Sequence, residues 1–472
     1  MAGVFVSRLR VRRRRRIRGV AMTFGDELRA ARRQRGWSYA RLTGALKEEA
    51  QRQGVGIMSD RSMTTALSRW ENNHNTPDRF YRRLLGAVLG LLDPDDLAAR
   101  TSTYEPNVDR AIEALSVMTR RDRVEEPVLA SSAGLVHIEH VISGYLFAHS
   151  YSVDERYSRA ESSVVEPNSV AERIRVTAST LMDIDFDQGG GNVRGALTDY
   201  FRLSVVPELR VARPSALRRA VFAAAAEVAQ LLGWSAYDAG HQAVAARYFT
   251  LGLRLADEAA DHLMGARLLA NLSHQYNSLG KFPQALTAAR AAQAALRGHG
   301  TPSVETMCVM MEARALASVR DERGATLAID HAERLFKRRA GNEPAWISYY
   351  DAAELAGDSA HAFRDLGAAA QTREFAEAAL TASTPRRTRA FIQLVSADAA
   401  LACGELEQAA ALAVEALESG SDLRSQRYLR YLESFARAVP DLRHPVLARF
   451  TDIVSDRHPD LFGETGGGRS AG

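Results

Sequence analysis

The stretch DRSMTTALSRWENNHNTPDRFYRR, residues 60–83, sets the reading of this chain. At about 100° per residue, Met63, Ala66, Leu67 and Trp70 fall on one face of a helix, while Thr64, Thr65, Ser68 and Arg69 share the opposite arc. One face packs and the other is free to touch something. Hydroxyl side chains and an arginine suit the major groove of DNA, because Arg forks onto guanine and Thr or Ser bonds a base edge or meets a thymine methyl. Asp60 or Ser62 stands where a first-turn cap belongs, and Asn72, Asn73 and the run Asn75-Thr76-Pro77 end the helix. The competing reading is that a short amphipathic helix with a tryptophan is simply core.

Upstream, FGDELRAARRQRGWSYARLTGALKEEA predicts two more helices, with Phe24, Leu28 and Ala31 inward on one and Leu42, Ala45 and Leu46 inward on the other. Downstream, FYRRLLGAVLGLL closes a four-helix bundle. This order matches a repressor-type helix-turn-helix, in which the second helix crosses the DNA backbone and the third enters the groove.

The segments LRAARRQRGWSYARL, LSRWENN and PDRFYRRLLGAVLG together resemble an XRE-type helix-turn-helix of actinobacterial regulators. The resemblance implies base contacts from Thr64, Thr65 and Arg69, with Ser68 on the same face, and phosphate contacts from Tyr39, Ser62 and Asn72. It also implies that Arg32 and Glu71 form an ion pair fixing the first helix to the third. Two features depart from the pattern. Asn73 stands where glycine is usual, a position that needs a residue tolerant of the left-handed conformation, and the stretch from Lys47 to Asp60 makes a long turn before the reading helix.

At 472 residues and 46% hydrophobic content the chain is long enough for several domains with sizeable cores. Cys308 and Cys403 lack partners at metal-ligand spacing and cannot staple a secreted fold, so a reducing cytoplasm is expected. Residues 1–21 carry eight arginines and no acid, and residues 22–100 carry 13 Lys or Arg against 10 Asp or Glu. The formal +4 of the chain therefore leaves −7 on residues 101–472, and positive charge gathers with the proposed DNA reader. The basic arm either binds phosphates or reflects a start codon assigned upstream of Met22, which itself begins an ordinary first helix. No apolar run approaches the roughly 20 residues of a membrane span.

After residue 93 the pattern loosens into a linker with short helices, residues 94–130, punctuated by Pro94, Pro106 and Pro127. His137, His140 and His149 follow, and the first two share a helix face as metal ligands can. Their spacing fits no zinc motif, and no metal or cofactor is expected. From about residue 170 a turn followed by an alanine-rich helix recurs, marked by Gly191, Gly240, Gly280, Asp321, Gly367 and Cys403-Gly404, with Asp321 in place of a turn glycine. Helix pairs with a period near 40 residues make an α-solenoid, because each pair buries its apolar face only against its neighbours. Small residues such as Ala245, Ala285, Ala409 and Ala416 allow close packing.

Leu272, Tyr276, Gly280, Phe282 and Ala285, and nearly as well Leu232, Gly233, Gly240, Ala245 and Phe249, are placed as in tetratricopeptide repeats. LLGWSAYDAGHQAVAARYFTLGLRLA and FDQGGGNVRGAL also resemble segments of actinobacterial helix-turn-helix plus tetratricopeptide regulators. That family resemblance implies a cytoplasmic transcription factor for differentiation or secondary metabolism; some related architectures respond to small peptides.

A solenoid presents its first helices on a concave surface. Glu227, Gln230, Trp234, Tyr237, Arg267, His274 and Asn277 fall on that inner stripe. Asn and Gln suit a peptide backbone, Arg a carboxylate, and Trp or Tyr an apolar side chain. The stripe is a peptide or small-molecule groove, a protein-contact surface, or a solvated face.

Enzymatic signatures are lacking. No Walker loop or nucleophile elbow occurs, and Gly189 to Gly191 read as a helix–helix turn. Asp183, Asp185 and Asp187 alternate like calcium ligands, but the required acid at the twelfth loop position is missing.

The expectation is an all-α protein. Residues 22–93 form a helix-turn-helix bundle that binds double-stranded DNA, residues 131–455 a tetratricopeptide-like solenoid, and residues 456–472 a flexible tail. A homodimer is expected because paired half-sites add avidity. The rival is a helical-repeat scaffold that does not bind DNA.

Overall fold

The computed structural model describes residues 24–52, 55–89, 103–122, 135–151, 169–339 and 341–461. The basic arm, residues 94–102 and 123–130 of the linker, the side chain of His149 and residues 462–472 lie outside the described residues. Among those described every regular element is a helix, and none is long and apolar enough to cross a membrane. The chain divides into two compact units, one holding the described residues up to Leu89 and the other those from Thr103 onward.

The first unit contains α1 (Phe24–Gln34), α2 (Tyr39–Arg52), α3 (Asp60–Glu71) and α4 (Arg79–Leu89). Leu28, Leu42, Leu46, Met63, Leu67, Trp70, Leu84 and Leu85 meet in one core. The long turn before α3 is shorter than the sequence suggested, because α2 runs on to Arg52. The cap of α3 is Ser59, whose side chain accepts from the Ser62 N–H, and neither Asp60 nor Ser62 takes that role. Asn73 is left-handed at φ 56°. Its N–H bonds the Trp70 carbonyl, and the His74 N–H bonds that of Arg69, a Schellman ending.

The second unit begins with α5 (Val108–Asp122) and α6 (Ile138–Tyr151), followed by α7 (Val170–Gln188) and α8 (Gly190–Tyr200). Five hairpins follow: α9 (Ser215–Asp238) with α10 (Gln242–Ala259), α11 (His262–Ser278) with α12 (Phe282–Ala295), α13 (Pro302–Ser318) with α14 (Glu322–Phe336), α15 (Ala352–Leu366) with α16 (Ala369–Ala379), and α17 (Arg386–Ala402) with α18 (Leu406–Ser419). α19 (Gln426–Ala438) and α20 (Ala448–Arg457) complete the unit, and a 3-10 turn at Pro459–Leu461 extends order into the expected tail. These packed pairs are consistent with a helical solenoid.

Gly240, Gly280, Gly367 and Gly404 turn four of the hairpins in the left-handed region; in the α13–α14 hairpin the left-handed residue is Arg320, at φ 62°. Asp321, one position later, instead caps α14 by accepting from the Gly324 N–H. The left-handed glycine before α8 is likewise Gly189, with Gly191 inside the helix. Ala245, Ala285, Ala409 and Ala416 are all fully buried.

Two features exceed the sequence reading. The segment expected as a linker supplies α5, which packs against α8 and α10; the Tyr104 hydroxyl donates to Asp257 (2.8 Å) and Arg254 Nε to the Pro106 carbonyl (3.0 Å). The array also closes on itself. α7 packs beside both α9 and α17, where Arg387 Nη1 meets Asp185 Oδ2 at 2.7 Å, both residues buried. The Gly191 N–H donates to the Arg424 carbonyl (3.1 Å), and the Ser425 hydroxyl to Asp238 (2.9 Å). A Cβ on Gly190 would crowd the Ser235 backbone, so glycine permits this close approach.

Candidate nucleic-acid interface and central chamber

In the first unit, α3 divides as its period predicts. Met63, Leu67 and Trp70 are buried, Ala66 and Ser68 half-buried, and Thr64, Thr65 and Arg69 exposed. The Thr64 and Thr65 hydroxyls donate back to the carbonyls of Asp60 and Arg61, both at 2.9 Å, leaving oxygen lone pairs and methyl groups outward. The Arg69 side chain makes no hydrogen bond or ion pair among the described residues.

Arg32 and Glu71 form the expected pair, and it is bidentate: Nε to Oε1 at 2.6 Å and Nη2 to Oε2 at 2.9 Å. Arg32 Nη1 also reaches the Trp37 carbonyl (2.7 Å). The hydrogen bond to Glu71 is the main cause holding the Arg32 guanidinium above its ordinary pKa.

The residues expected at phosphates separate. Tyr39 is half-buried and donates its hydroxyl to Glu71 Oε2 at 2.9 Å, so its proton is already committed. Asn72 is exposed but caps α3, donating Nδ2 to the Ser68 carbonyl (2.8 Å) and accepting from Arg29 Nη2 (2.8 Å). Ser62 stays at the exposed surface beside Ser59. Sequence reasoning missed Arg29, which donates to the Glu71 carbonyl and to Asn72 and so places a cation at the carbonyl end of α3. Its place one turn before Arg32 was the available signal.

In the second unit the first helices of the hairpins face inward around a central space. A chamber of about 810 Å³ and a far cavity of about 840 Å³ both adjoin a smaller space of about 140 Å³, the waist, which shares Gln230 and Arg267 with the first and His274 with the second. The inner-stripe residues are distributed along it. Glu227, Gln230 and Arg267 line the chamber; Gln230, Trp234, Arg267 and His274 line the waist; Tyr237, His274 and Asn277 line the far cavity.

Their partners change their expected roles. Trp234 and Tyr237 do not offer bare rings to an apolar group, because the Arg427 guanidinium lies 5.2 and 5.1 Å from their centroids. Arg267 stacks on Trp346 (4.7 Å) and Tyr349 (5.5 Å) and donates Nη1 to the Trp346 carbonyl (3.3 Å). Glu227 accepts from Arg175 Nε at 2.9 Å. The Tyr237 hydroxyl bonds His274 Nδ1 (3.0 Å). Burial, reinforced by Arg314 and Arg427, drops the His274 pKa well below the ordinary range and keeps the ring neutral. Arg175, Trp346, Tyr349, Glu354 and Arg427 were not read as site residues. They come from α7, the loop before α15, α15 itself and α19, and only folding brings them to the stripe.

Other sequence candidates resolve simply. Asp185 is spent on Arg387. His137 and His140 have ring centroids 5.8 Å apart, and no group of three metal-binding side chains occurs among the described residues. Cys308 is buried and Cys403 exposed, both as free thiols. No protein-family model matches the chain, and no curated protein matches it.

Proposed function

We propose that this protein is a sequence-specific DNA-binding transcriptional regulator whose first four helices act as an XRE-type helix-turn-helix and whose tetratricopeptide-like repeat unit receives a ligand or partner. The supporting observation is the outer face of α3. Thr64, Thr65, Ser68 and Arg69 share it, the opposite face is buried, and both ends are held, the first by Ser59 and the last by Arg29 and Arg32. A rigid helix carrying an uncommitted arginine is suited to base-edge readout. The protein is proposed to act as a homodimer in the cytoplasm on paired half-sites about one helical turn apart.

The test is selection from a random duplex pool at physiological salt, using protein that starts at Met22, so that nonspecific phosphate binding by the arginine arm does not mask specificity. Enrichment of a two-fold motif that Arg69→Ala weakens by about 1–3 kcal/mol supports the proposal. No motif, with both proteins binding alike, rejects it in favour of a repeat scaffold.

A further inference from the structure

The 810 Å³ chamber is unevenly charged. Asp183, Asp187, Glu227, Asp261, Asp351 and Glu354 line it against only two arginines, Arg175 and Arg267. Arg175 is spent on Glu227, and Arg267 is stacked on two rings. Asp261 and Asp351 are helix caps that accept backbone N–H groups. Asp183 and Asp187 are exposed to solvent, whereas Glu354 is half-buried and accepts one long hydrogen bond, 3.4 Å, from the Thr388 hydroxyl.

A second observation is independent of this charge. Gln230 is 2% exposed and lines both the chamber and the waist, yet its Oε1 accepts no hydrogen bond. A buried acceptor without a donor is costly unless a ligand supplies one. Glu354 lines the same two spaces, so a carboxylate and an orphan carbonyl border one junction, with Met182, Phe186 and Leu231 as apolar walls. The volume lies within the range of small-molecule sites.

We propose that the chamber binds an organic ammonium ion, its N–H groups directed to Glu354 and Gln230 Oε1 and its apolar body lying against Phe186 and Leu231. This inference rests on reading the repeat unit as a receptor and is independent of DNA binding. It carries a pH signature. Burial and then Asp358 push the Glu354 carboxyl up to about 7, with Arg387 acting against the rise. Facing Glu354 are Asp351 at the cap and Asp358 on its own helix, Tyr349 and Tyr350 before it, and Arg387 and Thr388 from α17. A bound cation favours the ionised carboxylate, so binding tightens as pH rises through about 7 and releases a proton.

The experiment is calorimetry on the full chain at pH 6, 7 and 8 with three probes that share an indole body: tryptamine, neutral tryptophol and anionic indole-3-propionate. Tryptamine is expected to bind about tenfold tighter than tryptophol, with proton release at pH 7. Glu354→Gln, nearly isosteric, is expected to remove both the preference and the pH dependence. The comparison among probes on the unaltered protein stands even if that variant folds poorly. Equal or tighter binding of tryptophol or indole-3-propionate overturns the ammonium assignment but leaves a receptor. Tryptamine binding that ignores both pH and Glu354→Gln overturns the site. No binding of any probe at millimolar concentration overturns the inference, while the broader reading of the repeat unit as the receptor of a ligand or partner is judged separately.

Discussion

Replacing Glu71 with alanine is expected to cost the first unit about 3–5 kcal/mol, the range for breaking a buried ion pair from one side. Glu71 is 1% exposed and accepts three hydrogen bonds, two from Arg32 at 2.6 and 2.9 Å and one from the Tyr39 hydroxyl at 2.9 Å. The alanine variant keeps Arg32 charged but leaves it one hydrogen-bond acceptor, the Trp37 carbonyl, beside the Tyr39 ring. A guanidinium whose side chain is only 13% exposed is poorly rescued by water. The attraction itself is not the main quantity at stake, since desolvation offsets much of it; the cost comes from orphaning the surviving charge. Replacing both partners, Arg32→Met with Glu71→Leu, is therefore expected to recover most of the loss. Denaturant unfolding of the full chain, followed by hydrogen exchange of α1 and α3, separates this unit from the second. A Glu71→Ala loss below about 1 kcal/mol, or a double variant as unstable as the single one, would refute the reasoning. In the DNA selection proposed above, Glu71→Ala is expected to weaken binding without changing the preferred sequence, because it loosens α3 without touching its outer face.

Two further predictions concern the second unit. Arg320→Gly is expected to raise stability by about 0.5–1 kcal/mol, since Arg320 occupies the left-handed region at φ 62° and is exposed; a lower melting temperature would show that its side chain contributes more than its backbone costs. Asp185→Ala is expected to cost about 3–5 kcal/mol by removing the counter-charge of Arg387, which is 5% exposed and keeps only its bond to the residue 185 carbonyl (3.1 Å), and to speed hydrogen exchange in α7 and α17. Unchanged exchange there would mean that the array is held closed without this pair.

How far each site was legible follows from the range of the interactions that build it. The two faces of α3 were readable because helical periodicity acts within a short segment, whereas the Arg32–Glu71 pair, 39 residues apart, followed from the family resemblance and not from any local pattern. The cap falls on Ser59, one residue before Asp60 and three before Ser62, because all three have side chains able to accept from the first turn and backbone geometry selects among them. Nothing local reveals that the Tyr39 hydroxyl meets Glu71, 32 residues away.

In the second unit the inner-stripe residues line the central space, and their partners come from distant elements. Arg267 as a carboxylate ligand and Trp234 as an apolar platform were inferences from side chains taken singly. Trp346, Tyr349 and Arg427 then occupied them.

The amino-acid sequence by itself determined the helical class, the paired helices with their turns, and which face of each helix is apolar, because these follow from 3.6-residue periodicity and residue-specific backbone preferences. Tertiary structure alone decided that the array closes, that α5 belongs to it, and that Glu354 and Gln230 border one chamber. Asp185 and Arg387 stand 202 positions apart. Their meeting depends on the sum of small rotations between successive hairpins, a quantity that no local pattern of residues encodes.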